Sequence, residues 1–329
     1  LFLTPPLVVV FFLLAGKSGK LTTISDRPRL PSLAQVVWFA AATVIVVWSA
    51  YGFGVGPLPP AQFLTSPFGR AYHIQQAIRG TVGNSDVPAP AFLAGVLDVL
   101  DHNARGHQCY LLGQLGHNGW WYYFPVVLAL KTTIPLLILV GIAMVRPAWI
   151  PLLAAALVLA ISLRSNINLG VRHILVIELF LAVSASWLFA GPRRLATAAL
   201  ALAAWHAAES ALAHPDYLAF FNQTVRGREE QYLLDSNLDW GQDLERLRRF
   251  LQENKVATVY LSYFGRADPA EFGIRGIRPL TQNLRPRGWV AVSKAHIAGL
   301  ALDDYNLAWL KPHPPVTRIG KSILVYYFP

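Results

Sequence analysis

Arg164 and Arg172, with His173 next to the second, bracket a short turn of sequence SNINLGV at residues 165–171. Two arginines with Asn166 and Asn168 between them suit a phosphate or diphosphate, because a guanidinium binds such oxygens in pairs. Ordinary phospholipid headgroups would satisfy the same residues. Lys131 lies eight residues beyond Tyr123 in an apolar run, about 12 Å along a helix at the usual rise. A lysine that deep needs a partner or must snorkel to the interface. A carrier or lipid phosphate is the functional reading of its charge. The densest polar motif is DSNLDWGQDL at 235–244, with Asp235, Asn237, Asp239, Trp240, Gln242 and Asp243. Its spacing predicts the opening of a helix, capped by Asp235, Ser236 or Asn237, with Trp240, Leu244, Leu247 and Leu251 as one apolar stripe. Asp239 and Asp243 would then share a face, where acidic groups also complement the helix dipole.

His102, His107 and His117 lie close in sequence to Asp98 and Asp101. Together they offer ligands for a divalent cation, but no spacing matches a zinc signature such as a CxxC pair or HExxH. Solvated or hydrogen-bonding histidines are the plainer expectation, and no metal ligand is assigned. Nucleotide-binding GxGxxG and Walker loops and the GxSxG hydrolase elbow are all missing from the sequence.

The elements that must position these groups follow from charge and hydropathy. The 329 residues are 54% hydrophobic and only 14% charged, with one cysteine, Cys109. Disorder, a collagen repeat and a disulfide scaffold are excluded. Residues 1–213 carry 13 basic and 6 acidic groups, and residues 214–329 carry 15 and 12. The first part reads as membrane-like and the second as a soluble domain. Six apolar runs are candidate spans: 1–14, 33–55, 123–145, 149–163, 173–190 and 195–213. The chain begins inside the first of them, which predicts a longer protein upstream.

The basic residues Lys17, Lys20, Arg27 and Arg29, then Arg146, then Arg193 and Arg194 fall on one side if all six runs cross, and that side is expected to be cytoplasmic. The long loop 56–122 and everything after 213 would then be extracytoplasmic. Within that loop, Phe92, Leu93, Val96, Leu97 and Leu100 predict an amphipathic surface helix with Asp98, Asp101, His102 and Asn103 facing outward. Trp120, Trp121, Tyr122 and Tyr123 read as an interfacial aromatic belt. In residues 214–329, strands are expected at 256–264, 289–293 and 322–328, which makes a small α/β or α+β domain. The net charge of +10 beside a membrane points to anionic lipid rather than nucleic acid as a partner.

Four stretches carry a family resemblance: GHQCYLLGQLGHNGWWYYFPVVLALKT at 106–132, NLGVRHIL at 168–175, HPDYLAFFN at 214–222 and DSNLDWGQDLERL at 235–247. They resemble bacterial phospholipid-carrier-dependent membrane glycosyltransferases, the family 39, protein-mannosyltransferase-like group with the GT-C fold. The resemblance covers most of residues 90–329. It implies a polytopic helical bundle in the bacterial inner membrane, about six spans of it present here, with a small extracytoplasmic C-terminal domain. It also implies transfer of a sugar from a polyprenyl-phosphate carrier to a glycan, lipid or protein acceptor.

The family's catalytic carboxylates lie in a first outer loop that is expected upstream of this sequence, so no base is assigned. A divalent cation, Mg or Mn, is the one candidate cofactor. On this reading Lys131 and Arg172 bind the carrier phosphate, with Arg164, Asn168 and His173 near the same boundary. His107, Tyr110 and the 235–243 cluster line or close the cavity. Two departures stand out: Gln114 occupies a position where such proteins often carry Glu, and Val176 and Glu178 replace an expected proline and aromatic residue. A transporter or flippase of a lipid-linked substrate, or a non-catalytic membrane protein with an outer ligand-binding domain, would also need buried charges. The first of these predicts matched internal repeats, and none is visible.

Overall fold

The apolar runs do not all become spans. The computed structural model describes residues 32–58, 85–145, 149–281, 284–300 and 307–329, with Ala77, Gly80 and Thr81 between the first two stretches. The expected run at 1–14 lies outside these residues. Among the described residues, two helices are long and apolar enough to cross a membrane: α1, Leu33–Ala50, and a later one, Arg193–Leu212. The expectation of about six spans in a polytopic helical bundle is therefore corrected.

Each failure has a local cause. The run 123–145 splits into Tyr123–Lys131 and Ile134–Ala143, whose axes differ by 111°. Thr133 caps the second piece through its Oγ, 3.4 Å from the Leu136 amide, and Pro135 sits in its first turn. A proline there is compatible with a helix start but not with a continuous helix, since it lacks the N–H that would bond back to residue 131. Counted as one broken span, the pair makes a third crossing. Trp149–Ser162 has 14 residues, about 21 Å against the roughly 30 Å of a hydrocarbon core. Leu175–Ala185 continues only as a 3₁₀ segment to Ala190.

In chain order, α1 leads to a minimal pair of strands, β1 (Val55–Gly56) and β2 (Val87–Pro88), and then to α2 (Pro90–Arg105). A hairpin follows, β3 (Cys109–Leu111) and β4 (Gln114–Gly116). Its turn residues Leu112 and Gly113 both have positive φ, 50° and 85°, the backbone a two-residue hairpin of this hand requires. The apolar helices are α3 (Tyr123–Lys131), α4 (Ile134–Ala143), α5 (Trp149–Ser162), α6 (Leu175–Ala185) and α7 (Arg193–Leu212). α5 packs on α6, and α4 packs on both α6 and α7.

The remainder is a mixed sheet of order β6-β5-β7-β9-β8, built from β5 (Val259–Ser262), β6 (Ile277–Pro279), β7 (Gly288–Ser293), β8 (Thr317–Ile319) and β9 (Ile323–Phe328). β5 runs parallel to both β6 and β7, and β9 runs antiparallel to β7 and β8. Helix α8 (Leu244–Glu253) covers one face through Leu244, Leu247 and Leu251 against Val259, Leu261 and Val325. The short α9 (Lys294–Ile297) and the turn Ala308–Leu310 cover the other through Ile297, Leu307 and Leu310. The described residues thus mix helices and sheets.

One core passes between the two regions. Tyr123, Phe124 and Val127 of α3, Ala154 and Val158 of α5 and Ile177 and Phe180 of α6 pack in the same cluster as Leu233, Leu234, Leu238 and Phe264. The segment leading into α8 is therefore built onto the apolar helices, and that junction positions the candidate site.

Candidate active site

The motif at 235–244 does not open a helix as expected. Asp235–Asn237 forms a single 3₁₀ turn, and α8 begins only at Leu244. The turn is locked against the segment before α6. Ser236 Oγ donates to the Leu169 carbonyl at 2.8 Å, and the Val171 amide donates to Asn237 Oδ1 at 3.0 Å. Asn237 Nδ2 donates to the Tyr123 hydroxyl at 2.9 Å and to the Leu234 carbonyl at 3.2 Å. Gly170 is required by this approach, since a Cβ there would sit 2.6 Å from Ser236 Oγ. Asn168 secures the other flank: its Oδ1 accepts from the Trp120 amide at 2.7 Å and its Nδ2 donates to the Ser165 carbonyl at 3.1 Å.

Lys131 belongs to the same framework. Its ammonium donates to the carbonyls of Leu218 at 2.8 Å and Asn237 at 2.6 Å, and lies 4.3 Å from the centre of the Phe221 ring. Its three donors thus face two carbonyls and one aromatic face. Lys131 neither snorkels nor points at an open site, but ties α3 to the 235–237 turn. Asp239 accepts from Ser293 Oγ at 2.7 Å and from the Gly241 amide at 3.0 Å. Asp243, fully buried, accepts from the Lys321 and Ser322 amides, from Ser322 Oγ and from Arg246. Both precede α8, so they share no helical face, and both fasten the same end of the sheet, where Ser293 of β7 pairs with Ile323 of β9. Gln242 bridges the Leu238 carbonyl and the Trp240 amide, and the Tyr110 hydroxyl donates to the Glu230 carbonyl at 2.8 Å. Arg164 is exposed just past α5, with its side chain in no hydrogen bond or ion pair to another described residue.

Five of the expected residues gather around one accessible point. Arg172 is exposed and lies 4.7 Å over the ring of Trp240, within cation–π range. Trp240 is 43% exposed, not part of the apolar stripe of α8. The Arg172 charge acts on Asp235, on His107 and on the neighbouring His173. Asp235 is buried with a left-handed backbone, φ 58°, and its carboxylate accepts from the Ser236 amide. Burial pushes its carboxyl up to about 6, against the opposing pull of the Ser236 hydrogen bonds and Arg172. His107 is half-buried, with Nδ1 3.2 Å from Nε2 of His102. Burial lowers both imidazoles from their ordinary value, so both are neutral at pH 7. Burial also drives His173 down, to about 4.

The helix α2 differs from its expected surface role. Asp101 is buried and paired with Arg105 at 2.9 Å. Asn103 holds the turn after α5 through the Asn166 amide at 2.9 Å and Ser165 Oγ at 3.2 Å. Tyr123 was placed in an aromatic belt by sequence, but it is fully buried against Asn237. No period in the WWYYF run separates it from the 70%-exposed Trp121. Among the described residues no three His, Cys, Asp or Glu side chains converge as a metal-holding group.

The cluster therefore offers one exposed cation stacked on an open indole, one buried carboxylate of raised proton affinity, and neutral imidazoles beside them. Such a set can bind a phosphate, receive a proton and pack an apolar sugar face. In comparisons with protein-family models, curated proteins and solved structures, nothing matches this chain. The likeness to carrier-dependent glycosyltransferases rests on its motifs alone.

Proposed function

We propose that this chain is a membrane glycosyltransferase that moves a sugar from a polyprenyl-phosphate carrier to an acceptor hydroxyl. Its place is the bacterial cytoplasmic membrane, with residues 214–329 on the extracytoplasmic face. The observation that carries this reading is the Arg172–Trp240 pair beside buried Asp235, at the junction of apolar helices and sheet. In the transfer, the acceptor oxygen attacks the anomeric carbon and the bond from that carbon to the carrier phosphate breaks. The departing phosphate takes up the bonding pair, and Arg172 neutralises the charge that develops. Asp235 accepts the proton of the acceptor hydroxyl. Trp240 receives the sugar's C–H face, and neutral His107 and His102 hydrogen-bond sugar or phosphate oxygens. Lys131, Asn168 and Asn237 position the turn that carries Asp235. Two long apolar helices, α1 and α7, support the membrane placement.

The test is transfer by detergent-purified protein given a panel of polyprenyl-phosphate-linked hexoses and pentoses. Arg172→Ala is expected to lower turnover about 100-fold and to weaken donor binding, with Arg172→Lys intermediate. Wild-type kinetics in Arg172→Ala would overturn the site, and failure of the whole panel to react would overturn the function.

A further inference from the structure

A second group of side chains lies in a cleft at one end of the sheet, sharing no residue with the Arg172 cluster. It forms where the end of β9 pairs with the start of β7, at the Phe328–Gly288 register. The cleft measures about 390 Å³ and is lined by Arg285, Pro286, Arg287, Trp309, His313 and Phe328. Arg285 lies 4.5 Å over the Trp309 ring and donates to the Leu284 carbonyl. His313 stands edge-on to Phe328 at 5.3 Å and to Trp309 at 6.1 Å. Arg287 is exposed and has no carboxylate partner among the described residues.

We propose that this cleft binds an organic phosphomonoester, of which a sugar phosphate is the simplest example. The guanidinium groups of Arg285 and Arg287 match a dianion with three peripheral oxygens. The His313 imidazole supplies a further donor to oxygen. Trp309 and Phe328 provide apolar flanks that a bare inorganic ion would leave uncovered, and the volume falls within the range of small-molecule sites. The inference does not rest on the transferase reading, since a binding site here serves whatever chemistry the Arg172 cluster performs.

The test is calorimetric titration of the full chain in phosphatidylcholine nanodiscs. The probes are glucose 6-phosphate, inorganic phosphate and glucuronate. Glucose 6-phosphate is expected to bind saturably and more tightly than the other two. Arg287→Ala should weaken it about tenfold, and Trp309→Ala, which removes the apolar flank and the ring under Arg285, several-fold. Arg172→Ala should leave this affinity unchanged, which separates the cleft from the proposed active site. Nanodiscs containing phosphatidate distinguish the source. Competition assigns the site to a lipid headgroup, no competition assigns it to a soluble phosphate, and either supports a phosphomonoester. No saturable binding, affinity indifferent to both cleft substitutions, or glucuronate binding as tightly as glucose 6-phosphate would overturn the proposal.

Discussion

Asp235 carries the sharpest consequence at the scale of single residues. Its folded proton affinity lies above the ordinary carboxylate value of 3.8, at about 6. A base must be ionised to act, so transfer should rise with pH through about 6 and then level off. The effect on stability has the opposite sign. Because the folded state holds this proton more tightly than the unfolded chain, its contribution is greatest below pH 4 and is lost as pH climbs through 6. Asp235→Asn keeps an oxygen for the Ser236 amide and sheds the buried charge. It should therefore stabilise the protein at pH 7 by at most about 3 kcal/mol, with no gain at pH 4, while turnover falls about 100-fold or more. Thermal unfolding at the two pH values reads the first effect and donor turnover the second. A variant that is less stable and equally active would remove Asp235 from the mechanism. The sequence put Asp235, Asp239 and Asp243 in one cluster because their spacing fits a helix. It could not separate them, because what distinguishes them is tertiary: Asp239 and Asp243 meet serines and amides from residues 293 and 321–322, while Asp235 is buried within reach of the Arg172 charge.

Elements were legible where one strong local signal decides, and illegible where a partner decides. The long apolar runs gave α1 and α7, and strands near 289–293 and 322–328 followed from β-branched and aromatic runs. The short β6 and β8, three residues each, carry too little pattern to be seen alone and exist because β5 and β9 offer them backbone partners. Lys131 shows the same limit. Its depth was readable, but the carbonyls that receive it come from Leu218 and Asn237, far along the chain. Lys131→Met should leave both carbonyls without their donor and cost about 1–3 kcal/mol in thermal or denaturant unfolding. A loss of donor affinity with unchanged stability would instead make the lysine a phosphate ligand. The hairpin from β8 to β9 gives a second test. Gly320 has φ 55°, and a Cβ there would collide with the Asp243 carboxylate. Gly320→Ala should therefore cost about 2 kcal/mol or more by displacing Asp243 from the Lys321 and Ser322 amides. Unfolding at wild-type denaturant concentration would show that the turn can relax.

For the whole molecule, the correction from about six spans changes how membrane and sheet meet. α5 and α6 are too short to cross, yet they expose Leu153, Leu157, Ile161, Leu175 and Leu179 on one side and pack into the shared core on the other. Apolar surface of that kind belongs against lipid or another apolar partner. α7 sets the topology. Its 20 residues reach about 30 Å, so its two ends lie on opposite faces when it spans. On the proposed topology, Arg193 and Arg194 at its start lie on the cytoplasmic side and the sheet lies outside. The lone cysteine makes this measurable without a cysteine-free background. Cys109 is fully buried, and burial pushes its thiol above the ordinary value, so it presents little thiolate to a reagent. Wild-type protein should therefore stay unlabelled by a membrane-impermeant maleimide in intact cells. Lys311→Cys, at an exposed position beyond the sheet's covering turn, should label from outside. Arg194→Cys, at the start of α7, should label only after the membrane is permeabilised. Labelling of both from the same side would mean that α7 does not cross. The reverse pattern would place the sheet in the cytoplasm, where an extracytoplasmic acceptor could not reach Asp235.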